Sequence, residues 1–313
     1  MLKKIIGIDI GGTTIKMAVI DFSGTILSKW EIVTETLNQG ERIPESIIES
    51  IHGELNKQGT PLEDIIGIGV GVPGPVAKGV VQRAVNLGWE TMPLKSRLES
   101  GLNIPVVLLN DANAAALGEL WQGSIKSVTN LVFVTLGTGV GGGIIIDGKI
   151  INGAHSSGGE IGHIPVVAST ERICGCGNTN CLESYASAAG MITTINELIR
   201  NPKERVTNAE EIFSLLSSGN SEAQKTVALT IDYLARALAG IINTVDPEEI
   251  VIGGGVSAAG SALLDPLREK LKQYVFPQIR EGLTLRQASL GNDAGVLGAA
   301  YESLQLYQAE EKW

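Results

Sequence analysis

A strand, a glycine turn and a second strand are written twice in this 313-residue chain. Shifting the sequence by 126 positions superposes Asp9 on Thr135, Ile10 on Leu136, Gly11 on Gly137, Ala18–Ile20 on Ile144–Ile146 and Asp21 on Asp147. Each copy opens a run of apolar strands and amphipathic helices, so the pattern predicts two α/β lobes of related topology with a cleft between them. Residues 1–120 with 293–313 form the expected smaller lobe and residues 121–292 the larger.

Periodicity places strands at 3–10, 14–21, 25–32, 65–72 and 105–109, and a helix from Ile43 to Leu55 with Pro44 in its first turn. Beyond the second hairpin come helices at 184–200 and 208–217, a long helix striped by Val227, Ile231, Leu234, Leu238, Ile241 and Val245, and a short strand ending in Gly253–Gly255. A helix at about 261–279, a strand at 283–289 and a last helix capped by Asp293 complete the expected order.

Composition narrows the function classes. Hydrophobic residues make up 43% of the chain, ample for two cores, while 24 Lys+Arg against 34 Asp+Glu leave a net charge of −10. A chain so acidic lacks the basic face that nucleic acid needs. No run of 18 apolar residues offers a membrane span, and the N-terminus reads as a first strand, so a cytoplasmic protein is expected. The 39 glycines gather at the ends of apolar runs, where backbone turns tightly or approaches a ligand.

The motif DIGGTTIK sets Asp9 at a strand end, Gly11, Gly12, Thr13 and Thr14 in the turn and Lys16 on the outgoing strand. Turn amides and hydroxyls suit phosphate oxygens, whereas a carboxylate beside them suits the Mg²⁺ that neutralises phosphate. Asp9 therefore reads as a magnesium-side residue. Gly137, Gly139 and Gly142 match GxGxxG, as do Gly69, Gly71 and Gly74, but no helix starts at either third glycine, so the dinucleotide reading fails. The P-loop pattern is absent too, because Gly148–Lys149 is followed by Ile150.

Asn110 and Asp111 stand where a strand runs into an alanine-rich helix, so Asp111 is either a helix cap or a proton acceptor at a binding cleft. His163 with Cys174, Cys176 and Cys181 supplies one imidazole and three thiolates, the donor set of a closed tetrahedral zinc site. Such a metal would hold Glu160 and Glu183 near one place within a loop spanning about 160–183.

In this order DIGGTTIK, GVPGPV, NDANAAALGE, LGTGVGGGI, GGEIGH and CGCGNTNCLE resemble the ROK family of bacterial sugar kinases and repressors, from about residue 5 to 300. The resemblance implies an actin-like, hexokinase-like (ribonuclease H-like) fold and usually a homodimer. It makes Asp111 the catalytic base, Asn110, Glu160, His163 and Glu183 sugar ligands, and His163, Cys174, Cys176 and Cys181 a structural zinc site. Gly11, Gly12, Thr13, Thr138, Gly139 and Gly254 match its nucleotide turns, to which Asp9, Thr14, Lys16 and Gly255 are added by position. One departure stands out, since the family commonly has glycine where this chain has Asn180. The expected activity is transfer of phosphate from ATP with Mg²⁺ to the 6-hydroxyl of glucose. The alternatives are an N-acetylmannosamine, N-acetylglucosamine or fructose kinase of the same family. A sugar-responsive repressor is also an alternative, disfavoured by the opening strand and the charge of −10.

Overall fold

The computed structural model describes residues 3–124, 128–166 and 171–310. They group into two compact units, one of residues 1–127, 152–158 and 292–313, the other of 128–151 and 159–291. The segment 152–158 thus packs with the first unit although the sequence had placed it in the second.

The first unit opens with β1 (Lys4–Ile10), β2 (Thr14–Ile20) and β3 (Ile26–Val33), a meander joined by tight turns. A one-turn segment α1 (Leu37–Gly40) leads to α2 (Ile43–Gln58), which buries Ile43, Ile47, Ile51 and Leu55 and stops at Gly59 in the left-handed conformation, φ 61°. Strand β4 (Ile65–Val72) follows, then the ribbon β5 (Val76–Ala77) and β6 (Val80–Val81), α3 (Leu94–Leu102), β7 (Val106–Asn110) and α4 (Asp111–Gln122). Neither the ribbon nor α3 was expected from periodicity. The sheet order is β3-β2-β1-β4-β7, with β1, β4 and β7 parallel.

The second unit repeats that plan with β8 (Leu131–Leu136), β9 (Val140–Ile146) and β10 (Lys149–Ile150). Helices α5 (Glu183–Ala186), α6 (Ala188–Leu198), α7 (Ala209–Ser217) and α8 (Ser221–Val245) precede β11 (Glu249–Gly253), α9 (Ser261–Tyr274) and β12 (Thr284–Gln287). The order β10-β9-β8-β11-β12 matches the first sheet strand for strand. Helix α10 (Ala294–Glu310) returns to the first unit. Each unit has its own core, Ile6, Ile8, Val70 and Leu98 in one, Val134, Leu238, Ile252 and Leu267 in the other. Among the described residues α8 alone is long and apolar enough to cross a bilayer, and 61% of its most apolar window is buried within the protein.

Two expected helix boundaries move, each for a local reason, while the last helix starts directly after Asp293 as expected. The helix expected at 184–200 breaks at extended Ser187 (ψ 166°), whose hydroxyl caps α6 by accepting from the Gly190 amide at 3.0 Å. Helix α9 ends at Tyr274 because Val275 is extended and Pro277 cannot continue a helix. Asp293 closes a 3-10 turn ahead of α10, with its carboxylate 2.7 Å from the Lys29 ammonium.

Many glycines serve contact between backbones. A Cβ on Gly7 would lie 1.9 Å from the Val296 carbonyl oxygen, one on Gly69 1.7 Å from that of Ala299, and one on Gly298 1.7 Å from that of Ala114. Helix α10 therefore lies directly on β1, β4 and α4. That contact brings its N-terminal turn beside the end of β1.

Candidate active site

In the first unit the C-terminal ends of the parallel strands fall level. Asp9 pairs in register with Gly71, Gly71 with Leu109, and Val72 with Asn110. A Cβ built on Gly71 would stand 3.7 Å from both the Asp9 carboxylate and the Asp111 Cα, so the two aspartates flank one glycine. Asp9 is also pressed by Gly295 at the start of α10, where a Cβ would lie 2.7 Å from its carboxyl carbon. Burial pushes the Asp9 carboxyl above the ordinary range, with Lys16, its partner across the hairpin, opposing. A buried carboxylate is a good hold for a cation, which offsets the cost of its burial.

The junction of β7 and α4 resolves the cap question. Asn110 is the cap, its Oδ1 accepting from the amides of Ala112 at 2.9 Å and Asn113 at 3.2 Å. Its Nδ2 donates to the Gly74 carbonyl at 3.4 Å, which ties the cap to the GVPGPV turn. Asp111 is the first residue of the helix, with Oδ1 accepting from its neighbour Ala112 at 2.9 Å. Asn110 and Asp111 thus share the Ala112 amide, and Asn110 alone reaches that of Asn113. The first hairpin turn itself is closed by the Gly11 amide on Thr14 at 3.0 Å, and the Thr34 hydroxyl donates to the Gly11 carbonyl at 2.7 Å. Lys16 donates to Asn292 at 3.2 Å.

In the second unit the four metal donors converge, all within 4.8 Å of one another. A tetrahedral zinc with Zn–S bonds of about 2.3 Å and Zn–N of about 2.0 Å sets thiolates about 3.8 Å apart and a nitrogen about 3.6 Å from a sulfur. Cys176 and Cys181 are 3.7 Å apart, and His163 Nδ1 lies 3.6 Å from Cys174. The donors thus fit zinc in both chemistry and spacing. Burial pushes the Cys181 thiol up to about 12 and raises Cys174, while the Asn178 amide holds exposed Cys176 below the usual thiol range. Buried thiols of this kind ionise only beside a cation. With Nδ1 turned to the sulfurs, His163 keeps Nε2 for Glu160, whose carboxylate is 3.8 Å away. Residues 167–170 of the expected loop lie outside the described residues.

Asn180 does more than tolerate a glycine position. It has φ 56°, and its Oδ1 accepts from the Arg172 amide at 3.1 Å and the Tyr185 hydroxyl at 2.5 Å. Arg172 in turn stacks over the Tyr185 ring, donates to the carbonyls of Ser184 and Gly190 and pairs with Glu197 at 2.7 Å. This lattice backs the cysteine loop, and sequence reasoning missed it because its members are spread over 25 positions with no spacing rule.

Around the second glycine turn the residues expected on the nucleotide side also assemble. Gly137, Thr138 and Gly139 join β8 to β9, and Gly254 (φ 80°) packs so closely that a Cβ there would lie 2.5 Å from backbone atoms of Leu136. Gly255 begins a short 3-10 turn after it. Glu183 reaches this turn as well, accepting from the Val140 amide at 3.0 Å.

Comparison with known proteins puts these residues in context. Residues 5–305 match the ROK family. The chain belongs to the ROK family. It is 41% identical to a glucokinase of Halalkalibacterium halodurans over 98% of this chain and 97% of that one. Among solved structures it is similar to a ROK hexokinase from Thermus thermophilus, with TM-score 0.86 and 32% identity, covering 98% of this chain and 99% of that one. It also resembles a ROK family glucokinase from Streptomyces griseus in complex with glucose and AMPPNP, with TM-score 0.74 and 31% identity, covering 96% and 99%. The two-lobed, actin-like α/β fold expected from the sequence is the fold of this ROK chain.

Proposed function

We propose that this ROK protein is an ATP-dependent glucokinase, transferring the terminal phosphoryl group of ATP to the 6-hydroxyl of glucose. The carrying observation is Asp111: the first residue of α4, directly after β7, its Cα and the Asp9 carboxylate both close to Gly71. The relative from Halalkalibacterium halodurans and the structure with glucose and AMPPNP support the choice of substrates.

In this reading Asp111 accepts a hydrogen bond from the sugar hydroxyl and orients it toward the phosphoryl group. An ordinary carboxylate of pKa about 4 is too weak to ionise an alcohol outright, so the proton moves to Asp111 late, as the O–P bond forms. Asn110, with its oxygen committed to the cap, serves the sugar through its amide N–H. Glu160, His163 and Glu183 supply further sugar contacts; His163 would hold the zinc through Nδ1, and its Nε2, 3.8 Å from Glu160, would face the same hydroxyls. The amides and hydroxyls of Gly11–Thr14, Thr138, Gly139, Gly254 and Gly255, with Lys16, bind nucleotide. When bound, Mg²⁺ supplies neutralisation of the phosphate charge, and Asp9 is the residue that would hold it. The bound zinc supplies order to its loop, held by His163, Cys174, Cys176 and Cys181. Catalysis is then mostly positioning. Cytoplasmic location and a homodimer belong to the same reading.

A coupled assay for ADP over a panel of hexoses tests it. Glucose is expected to give the highest kcat/KM, above fructose, N-acetylmannosamine and N-acetylglucosamine. A higher value for an N-acetylated sugar would move the assignment within the family. ADP release without any dependence on sugar would end the kinase reading. Light scattering on the purified protein checks the dimer.

A further inference from the structure

Glu183 touches two structures at once. Its Oε2 accepts from the Val140 amide at 3.0 Å, at the first residue of β9, while the Cys174 thiol lies 3.8 Å from its Oε1. Gly139 is shaped around it, since a Cβ there would come within 2.3 Å of Oε2 and 3.2 Å of the carboxyl carbon. Five residues on, the Ala188 amide donates to the Gly137 carbonyl at 2.9 Å. The Gly137–Val140 turn is therefore gripped at both ends by the segment that leaves the cysteine loop, and Gly254 packs on Leu136 just before it. Turns rich in glycine are entropically costly to hold in one conformation, and a turn that must bind phosphate has to present its amides already aimed. With Val140 N–H committed to Glu183, the carboxylate fixes which amides of this turn remain for a ligand.

We propose that Glu183 is a positioning residue for the nucleotide-side turn Gly137–Val140, coupling the order of the cysteine loop to nucleotide binding. This rests on the kinase reading above and adds to the sugar contact that reading gives Glu183. The two roles separate chemically. Bracing needs an acceptor oxygen at full side-chain length, so glutamine suffices and aspartate falls short by one methylene. A charge-dependent sugar contact has the opposite preference.

The test is titration with AMPPNP and Mg²⁺ in the absence of sugar, on zinc-loaded wild type, Glu183→Gln and Glu183→Asp, with zinc content and thermal unfolding showing that both variants are folded. Glu183→Asp is expected to weaken AMPPNP binding by roughly fivefold or more, the equivalent of one hydrogen bond of about 1 kcal/mol, with Glu183→Gln within about twofold of wild type. Amide hydrogen exchange at Val140 provides a second readout, faster in Glu183→Asp than in Glu183→Gln. Equal AMPPNP affinity and equal Val140 exchange in all three proteins would overturn the brace. If wild type itself fails to bind AMPPNP, the kinase reading falls first, and the exchange comparison still decides whether Glu183 holds the turn.

Discussion

The two sheets have the same strand order, yet the turns at their first hairpins are built differently. In the first unit Ile10 pairs with Ile15 and four residues intervene; in the second Leu136 pairs with Val140 and only three do. The first turn carries its chemistry on its own strands, with Asp9 and Lys16 paired across the hairpin. At the matching places the second has Thr135 and Gly141, and its charge arrives from outside, on Glu183. Duplication has preserved backbone topology while ionisable groups have been distributed asymmetrically. A two-substrate reaction needs that asymmetry, because a metal hold, a base and a phosphate turn are different tasks.

The largest effect expected from breaking this arrangement lies in the first unit. Asp111→Asn keeps the shape of the helix start and removes the proton acceptor, so turnover should fall by roughly 10²–10⁴ with glucose binding kept. Retention of a tenth of wild-type turnover, measured by the ADP-coupled assay, would return Asp111 to a merely structural place.

Asp9→Asn should show function and stability moving in opposite directions. Because burial raises this carboxyl, its ionised form costs stability in full above its folded pKa, and the cost fades as the pH falls from there toward the unfolded value of 3.8, below which it is gone. The amide should therefore raise Tm near neutral pH while Mg²⁺-dependent turnover collapses. A lower Tm would show that Asp9 is a structural anchor.

The glycine turns offer a direct contrast. A side chain on Gly12 meets Asn86 no closer than 3.5 Å, whereas one on Gly254 meets Leu136 backbone at 2.5 Å with φ at 80°. Gly12→Val should fold and lose roughly tenfold or more in ATP affinity, from a side chain set where phosphate must approach. Gly254→Ala should instead lose about 1–3 kcal/mol of stability from strain and clash. Calorimetry and nucleotide titration on both variants read the two outcomes apart.

Removal of one zinc donor tests the second unit alone. Cys176→Ala should abolish stoichiometric zinc and lower Tm, since structural metal binding is coupled to folding. The Asn180 lattice should keep part of the loop ordered, so Asn180→Gly in the same background should increase its proteolysis further. Equal cleavage of the single and double variants would show that the lattice adds nothing.

The smallest expected effect is acid sensitivity from a surface cluster of the second unit. Burial pushes Asp232 up, but the Tyr274 hydroxyl, Arg236 and Lys270 outweigh it and hold the carboxyl at about 2. A depressed folded pKa gives stability that is complete above the unfolded value of 3.8 and is lost as the pH falls toward 2. Its size is about 1–2 kcal/mol once solvent screening of a partly exposed cluster is allowed for. Denaturant titrations of wild type and Asp232→Asn should differ at pH 6 and converge only as the pH approaches about 2. This slope opposes that of Asp9.

Much of this was decided by the order of residues alone. The duplicated hairpin, the parallel strand ends at Asp9 and Asn110, and the zinc donors could be read directly, because strand period, glycine turns and metal chemistry are local rules acting on neighbours in sequence. Tertiary packing decided what sequence periodicity cannot express. Asn110 took the cap that either residue could have made, Asn180 became a hub for Arg172 and Tyr185, and Glu183 settled on Val140, 43 positions earlier. In each case a polar side chain had several possible partners, and the choice fell to whichever orphan amide or hydroxyl the surrounding backbone brought within hydrogen-bond reach.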